Sequence, residues 1–433
     1  MFKTLKNAFK VKEIRVKIFI TLALLLVYRL GCWLPIPGIN VESFSSQVTG
    51  DFLTLLSSLS GGALSNGAFL ALGVGPYISA SIVVQLLGFV IPALERLTKH
   101  GGEDGRKKIN QITKIAGLVL ALAQSIAIVV SFGNNGALNT SFFGANTPTW
   151  VAGAFVVAML VAGAMFTFWL GEKITELGVG NGLSLLIFVG ILSSAGTSMG
   201  SVVKAIIDGK VSEVWNLLIF IATLIIIFAL IVFIDLSERK IPVQYAKQIK
   251  GRKMYGGQST FIPVKLLGTG VMPIIFATSF ITFPQLIASF WPTSAFYQWY
   301  SKWLGAGSWV YSIVVGLFIL FFAYFWNQMM FNPEDISRQI QQNGGFVTGY
   351  RAGKQTADYL KKVSTRVTLF GALFLAFLTI VPSIVFKAIG GSTLTNTFTA
   401  TGLIIVVSCA LEIEKQLDQQ MLMRNYRGFL NKK

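Results

Sequence analysis

The residues whose types could do covalent or proton-transfer chemistry are few. The chain carries one histidine, His100, and two cysteines, Cys32 and Cys409. Acid–base catalysis needs a positioned group that holds or releases a proton near working pH, and a lone histidine with sparse carboxylates offers little of that. The two cysteines define neither a disulfide framework nor a zinc spacing; a single Cys inside an apolar segment is ordinarily a small hydrophobe. Gly178-Val179-Gly180-Asn181-Gly182 contains G-x-G fragments, but no strand precedes them and no dinucleotide-binding unit can form around them. No P-loop, zinc motif or catalytic triad is present. No catalytic residue, metal ligand or cofactor is expected, the chain is not expected to be an enzyme, and energy for any work would come from a partner.

Positive charge is the abundant chemistry. There are 36 Lys+Arg against 18 Asp+Glu, a formal charge of +18. Such an excess suits an anionic partner, nucleic acid included, and its location decides its meaning. The elements that would place it are apolar: 53% of the 433 residues are hydrophobic and 12% charged, half the charge of an ordinary soluble domain. Mean hydropathy is +0.66. A helix crossing the hydrocarbon core needs about 20 mostly apolar residues. Candidate spans fall at 17–36, 73–91, 115–133, 150–170, 182–200, 214–234, 269–290, 309–330, 367–389 and 400–414, the last continuing as helix into the tail. The run after Lys17 is too long for a signal h-region and no small-residue cleavage site closes it, so it reads as the first span.

Ten spans put both ends on one side. Every Lys and Arg except Arg29, Lys204, Lys210, Lys302 and Lys387 then falls on that side, as the positive-inside rule demands of the cytoplasmic face. Two of the basic loops are long, 235–268 and 331–366. They read either as topology signals attracted to anionic lipid or as a docking surface for an anionic partner such as ribosomal RNA or an acidic cytosolic motor. Glycines within them (Gly251, Gly256, Gly257, Gly344, Gly345, Gly349, Gly353) predict shaped turns that present Arg252 and Arg351 at loop tips, which favours docking.

Spans 2 and 7 share a pattern. Gly73-Val74-Gly75-Pro76-Tyr77-Ile78-Ser79-Ala80-Ser81 and Gly270-Val271-Met272-Pro273-Ile274-Ile275-Phe276-Ala277-Thr278 both follow G-V-x-P-x-I-x-A-[ST]. Five spans separate them, so the copies run in opposite directions, the mark of two inverted halves. Each Pro sits where a first helical turn tolerates it. Between spans 1 and 2, the stretch from Phe52 to Leu64 is apolar but short and rich in Gly and Ser. It reads equally as a broken helix at membrane depth, tolerated only beside protein or a water-filled cavity, or as a helix lying flat at the interface. Span interiors are almost free of ionisable groups, unlike those of secondary transporters and proton pumps. Arg29 is the clearest exception and reads as structural, reaching the interface or backbone carbonyls.

Over essentially its whole length the chain resembles the SecY family of protein-translocation channels. The matching stretches are Ser60-Gly61-Gly62-Ala63-Leu64 with Ala71 to Ile82; Gly101-Gly102-Glu103-Asp104-Gly105-Arg106-Lys107-Lys108; Gly178 to Gly182; Gln258-Ser259-Thr260 with Ile262-Pro263-Val264-Lys265; Asn332-Pro333-Glu334; and Gly353-Lys354-Gln355-Thr356. The tail Arg424-Asn425-Tyr426-Arg427-Gly428-Phe429 is similar to Gram-positive members.

The resemblance implies an all-α integral membrane protein of ten transmembrane helices in two inverted five-helix halves, 1–200 and 201–433, around an hourglass pore. It implies an aliphatic pore ring of Val74, Ile78, Leu183, Ile187, Ile275 and Ile405, with Val74 and Leu183 replacing the family's usual isoleucines. A dry aliphatic waist gates by excluding water and ions. The segment of about 52–66, including Leu59, Gly61, Gly62, Ala63 and Leu64, corresponds to a plug. Spans 2, 3, 7 and 8 correspond to a lateral gate, with Gln85 and Gln124 as polar contacts at its seam. Arg252 and Arg351 correspond to residues engaging the ribosome or the SecA ATPase, although Met254-Tyr255-Gly256-Gly257 departs from the usual loop. Implied partners are SecE and SecG in the membrane, signal sequences and unfolded preproteins as substrates, and lipid. The implied location is the bacterial plasma membrane with both termini cytoplasmic. The rival readings are a secondary transporter, which the inverted repeat alone allows, and an insertase or scaffold without a through-pore, which leaves the plug-like segment unexplained. Within the family an accessory form is a lesser alternative, and the intact loops favour the housekeeping one.

Overall fold

A computed structural model describes residues 9, 11–41, 57, 60–100, 102–133, 148–207, 212–245, 248–250, 253–255, 259–266, 272–288, 294–305, 308–388 and 400–430. The chain divides into two compact units, one of residues 1–217, 282–306 and 389–433, the other of 218–281 and 307–388. Among the described residues, four helical stretches are long and apolar enough to cross a membrane: Gly102–Val130, Thr149–Leu177, Trp309–Gln342 and Lys354–Pro382. Shorter apolar helices occur at Gly75–Gly88, Gly182–Thr197, Ile221–Asp235 and Met272–Ile281. Large apolar side chains such as Phe19, Leu26, Val119, Ile226 and Phe370 are exposed along the helices, which in water would be an aggregation hazard and in lipid is the solvated surface.

The first unit holds α1 (Lys12–Gly31), α2 (Gly75–Val90), α3 (Pro92–His100), α4 (Gly102–Gly133), α5 (Thr149–Leu177) and α6 (Gly182–Ile207). Helix α7 (Ser212–Asp235) leads out of it. Helix α2 starts where the sequence pattern places it, with Pro76 in the first turn and Gly73 ahead of it at φ +53°. Small residues set the packing. A side chain at Gly163 of α5 would strike the Phe69 carbonyl, and one at Gly105 of α4 the Leu97 carbonyl of α3. Ile36, Leu64, Leu72, Ala121, Val156 and Leu160 form one buried cluster that joins the segment before α2 to α4 and α5. Lys114 of α4 pairs with Glu172 of α5 at 2.9 Å and lies 5.4 Å from the Phe168 ring, itself 4.1 Å from that of Tyr77 on α2.

The second unit begins within α7, at Leu218, and runs on through β1 (Glu238–Tyr245), β2 (Gln248–Lys250), β3 (Lys253–Tyr255) and β4 (Ser259–Lys265). It continues through most of α8 (Met272–Ala288). After α9 (Ala295–Leu304) of the first unit, it resumes with α10 (Trp309–Met330), α11 (Pro333–Gln342), β5 (Gly345–Val347) and α12 (Lys354–Ala388). The second copy of the repeat likewise opens α8, with Pro273 at its start. Rings of α8 and α10 interlock, Phe276 lying 5.9 Å from Phe322 and 5.0 Å from Trp326. The all-α expectation is corrected here: β4, β1 and β5 form a three-stranded antiparallel sheet. Its cause is a short alternation in β1. Ile241 and Val243 point inward between exposed Lys240, Pro242 and Gln244, the period-2 pattern of a half-buried strand. They pack with Val264, Ile340, Val347 and Leu360. The last helix, α13 (Ala400–Leu430), returns to the first unit and extends well past the apolar span, as expected.

Candidate functional site

Two places gather the residues that the sequence singles out. The first lies where α6 begins. Asn181 caps that helix, its Oδ1 accepting from the Leu183 N–H at 3.1 Å, a standard way to satisfy a free helix-start donor. Thr175 of α5 adds a second tie, its Oγ1 accepting from Gly182 N at 2.9 Å. Gly180, at φ +89°, makes the turn between α5 and α6. Thr21 of α1 holds the turn from the other side: its Oγ1 accepts from Val179 N at 3.0 Å and donates to Lys17 O at 2.9 Å. The start of α6 is therefore anchored to two other helices.

From that anchor, Leu183, Ile187 and Gly190 follow at spacings of four and three, one face of a helix. Ile187 is buried, and Leu183 rests over Gly171 of α5, its Cδ2 2.7 Å from where a residue-171 Cβ would stand. Val74 and Ile78 stand one turn apart at the start of α2, joined by the Ile78 N–H to Val74 O bond of 3.1 Å. Helix α13 packs along α6. Its Ile413 and Gln416 lie beside Gly180, and its Leu417 clusters with Ile14 and Val179 beyond the end of α6. Residues 400–412 therefore run antiparallel to α6. Ile405, on that stretch, is buried. Ile275 belongs to the second unit, half-buried on α8.

The segment before α2 folds back onto α6. Ala63 and Leu64 are fully buried and Ser60 is 2% exposed. Residues 60–73 form successive turns rather than a continuous helix. The Gly62 N–H reaches Ser57 O at 2.8 Å, Asn66 N reaches Gly62 O at 3.1 Å, and the hydroxyls of Ser57 and Ser65 lie 2.7 Å apart. Gly61 and Gly62 take φ +71° and +84°, conformations that favour glycine. At Gly61 the backbone is pressed against α6: a side chain there would begin 2.9 Å from Gly190 O and would overlap Arg29 Nη1. Leu59 and residues 52–56 lie outside the described residues.

The candidate seam residues sit on α2 and α4, which pack together. Gln85 donates to Ser81 Oγ at 3.1 Å, and Gln124 is 6% exposed. The Oε1 atoms of both are buried without a hydrogen-bond partner, an uncommon condition that costs about 1–3 kcal/mol each.

The second place is the sheet. Register pairs Val243 with Val347 and Tyr245 with Gly345, so loops 235–268 and 331–366 are one folded platform rather than two tethers. Arg351 is exposed on the turn between β5 and α12, flanked by Gly349 at φ +89° and Gly353 at φ +99°. The turn is braced by Tyr350 stacked on Tyr359 at 4.0 Å, by Thr356 Oγ1 donating to Arg351 O at 2.9 Å, and by Ser337 Oγ donating to Gly353 O at 2.7 Å. A cavity of about 620 Å³ opens beside it, lined among others by Arg338, Lys354, Lys361, Glu334 and Asp358. Arg252 lies outside the described residues. The sheet escapes sequence reasoning because β5 is only three residues long and meets β1 a hundred residues away; its local signal is the Ile241–Val243 alternation, matched by Ile262 and Val264 on β4.

These features define a class first: a helical membrane protein in which aliphatic helix faces are met by a folded-back segment, joined to a basic extramembrane platform. The SecY family model matches residues 68–413. The chain is 36% identical over its whole length to the protein translocase subunit SecY of Thermus thermophilus, covering 98% of that protein. It is 38% identical to that of Streptomyces coelicolor, covering 99% of this chain and 100% of the other. Among solved structures, a protein-conducting channel aligns with a TM-score of 0.63 at 18% identity, covering 94% of this chain and 93% of that one. A SecY structure described for the plug domain that stabilises the closed channel aligns with a TM-score of 0.67 at 18% identity, covering 94% and 92%. The chain belongs to the SecY family.

Proposed function

We propose that this chain passes unfolded polypeptide through a waist formed by Val74, Ile78, Leu183, Ile187, Ile275 and Ile405, stopped at rest by a plug of about residues 52–66. Its function is that of a membrane-embedded channel subunit of a protein translocase. The finer reading has ten transmembrane helices in inverted halves 1–200 and 201–433 around an hourglass pore. It places both termini in the cytoplasm and the chain in a bacterial plasma membrane. A ring of aliphatic side chains makes no sequence-specific contact and excludes water when closed, which suits a pore open to any unfolded chain.

The observation that carries this reading is the seat of Gly61 on Gly190, one helical turn from Ile187 on α6. A polar-backboned segment would not be folded into that depth unless protein surrounded it. Gln85 and Gln124, with unmet acceptors on adjacent helices, suit a seam that parts to admit a signal sequence toward lipid. Arg351 on its braced turn, together with Arg252, suits engagement by the SecA ATPase or the ribosome. SecE and SecG are the expected membrane partners, and the driving force comes from the cytosolic partner rather than from catalysis by this chain. The test is reconstitution with SecE in vesicles, followed by SecA, ATP and a secretory preprotein. Protease protection of the preprotein is expected; a folded complex that gives none would overturn the proposal.

A further inference from the structure

Arg29 is a charged side chain that the sequence places well inside the first span and that the reading above leaves without a task. It occupies the last turn of α1. Its Nη1 is buried and has no hydrogen-bond partner. Guanidinium carries five donors and no acceptor, and a buried charged donor without a partner is among the costlier groups a fold can retain. The guanidinium as a whole is half-buried and reaches the Cys32 side chain; the neighbours of Nη1 explain why that one nitrogen goes unpaired. Residue 61 has no side chain, and the point where one would begin is touched by Arg29 Nη1 and lies 2.9 Å from Gly190 O and 3.1 Å from Gly190 Cα. The oxygen of Gly190 already accepts from Ser194 Oγ at 3.3 Å. On the preceding residue of α1, Tyr28 is 1% exposed, with its hydroxyl 3.9 Å from where a Gly73 Cβ would stand, a point itself 3.5 Å from the Ser60 Cβ. The end of α1 therefore lines the seat of the folded-back segment at Gly61.

We propose that Arg29 is a positioning residue that biases the plug toward leaving its seat. With Gly61 seated, the Nη1 donor is shut away from water and finds no acceptor. With the segment displaced, water or the carbonyls of a polypeptide passing Gly190 can accept from it. The seated state thus bears a cost that the open state does not, and this lowers the work a substrate must do to displace the segment. The inference rests on the reading of about residues 52–66 as a plug.

The test uses the full chain in membranes, with Cys32→Ser, which keeps a polar partner beside the Arg29 guanidinium, and Cys409→Ala as background and Ser60→Cys as reporter. Ser60 is 2% exposed when seated, so the rate of maleimide labelling reports how often the segment leaves. Replacing Arg29 by Met, a side chain of comparable reach without donors, should slow labelling roughly tenfold, which corresponds to about 1.4 kcal/mol. It should slow preprotein translocation in the same direction. Arg29→Lys, which keeps a buried cationic donor, should label faster than Arg29→Met. Unchanged or faster labelling of Arg29→Met overturns the proposal, and faster labelling is what a purely structural arginine would give. Deleting residues 57–64 is the control: it should raise the resting ion leak of vesicles. If it does not, the plug reading itself fails and the inference with it. If it does while Arg29→Met labels at the parental rate, only the role of Arg29 is lost.

Discussion

Gly61 and Gly190 meet backbone against backbone, with no room for a side chain on residue 61 between them. Gly62, the next residue, shares the left-handed conformation, at φ +84° against +71°, but nothing lies within 4 Å of the position its Cβ would take. The pair separates two effects of adding one methyl group. Gly62→Ala bears only the conformational cost, about 1–2 kcal/mol. Gly61→Ala adds overlap with the Gly190 backbone, which belongs to a helix and cannot give way cheaply. The resting potassium leak of vesicles should therefore rise markedly for Gly61→Ala and much less for Gly62→Ala. Equal leaks would mean that the contact with Gly190 does not govern seating.

What could be read in the sequence follows from the range of the interactions. The starts of α2 and α8 were legible because Pro76 and Pro273 act within one turn. The turns at Gly344, Gly349 and Gly353 were legible because a left-handed residue announces itself locally, and all three have positive φ. The run of Leu183, Ile187 and Gly190 is periodic, so its shared face was available, yet nothing in the spacing says that Gly61 would lie on it. Contacts across more than a hundred residues, Gly61 on Gly190 or β1 beside β5, leave no local trace. The motif resemblance located the ring and plug candidates. Only the folded chain relates Arg29 to Gly61.

On the α1 side, the turn before α6 is held by one hydroxyl. Thr21 Oγ1 accepts from Val179 N, 158 positions away, at 3.0 Å. Thr21→Val keeps the shape and removes the acceptor, leaving a buried N–H unmet at about 1–3 kcal/mol. The thermal transition of the purified chain should fall accordingly, and Thr21→Ser should restore it. A Thr21→Val chain as stable as its parent would show that the hydroxyl anchors nothing.

Arg351 presents its charge from a turn whose geometry is set by neighbours: Tyr350 on Tyr359, Thr356 on the Arg351 carbonyl, and two glycines. None of these involves the guanidinium. Arg351→Glu should leave thermal stability within about 0.5 kcal/mol, as for ordinary surface changes. It should weaken binding of the cytosolic motor or ribosome by roughly tenfold or more at low salt, since charge reversal at an electrostatic contact replaces attraction by repulsion. The deficit should shrink as salt screens both. Unaltered binding at low salt removes Arg351 from the docking surface.

Helices α10 and α12 are joined by a reciprocal pair: Asn327 Nδ2 donates to Ser364 Oγ at 2.9 Å, and the Ser364 hydroxyl lies 3.1 Å from Asn327 Oδ1. Ser364 is 3% exposed, so a partner removed from one side leaves the other largely without water. Ser364→Ala strands both ends of the amide, while Asn327→Leu strands only a hydroxyl, which can turn back to a carbonyl of its own helix as Thr368 does toward Ser364 O. The first substitution should therefore cost more than the second, about 1–3 kcal/mol against about 1. The double variant should be no worse than Ser364→Ala alone, because no polar group remains to be stranded. A thermodynamic cycle on the unfolding free energy reads this as a coupling of about 0.5–3 kcal/mol, the range for residues in direct contact. Additive costs would mean that the two side chains share a wall of the cavity without holding the helices together.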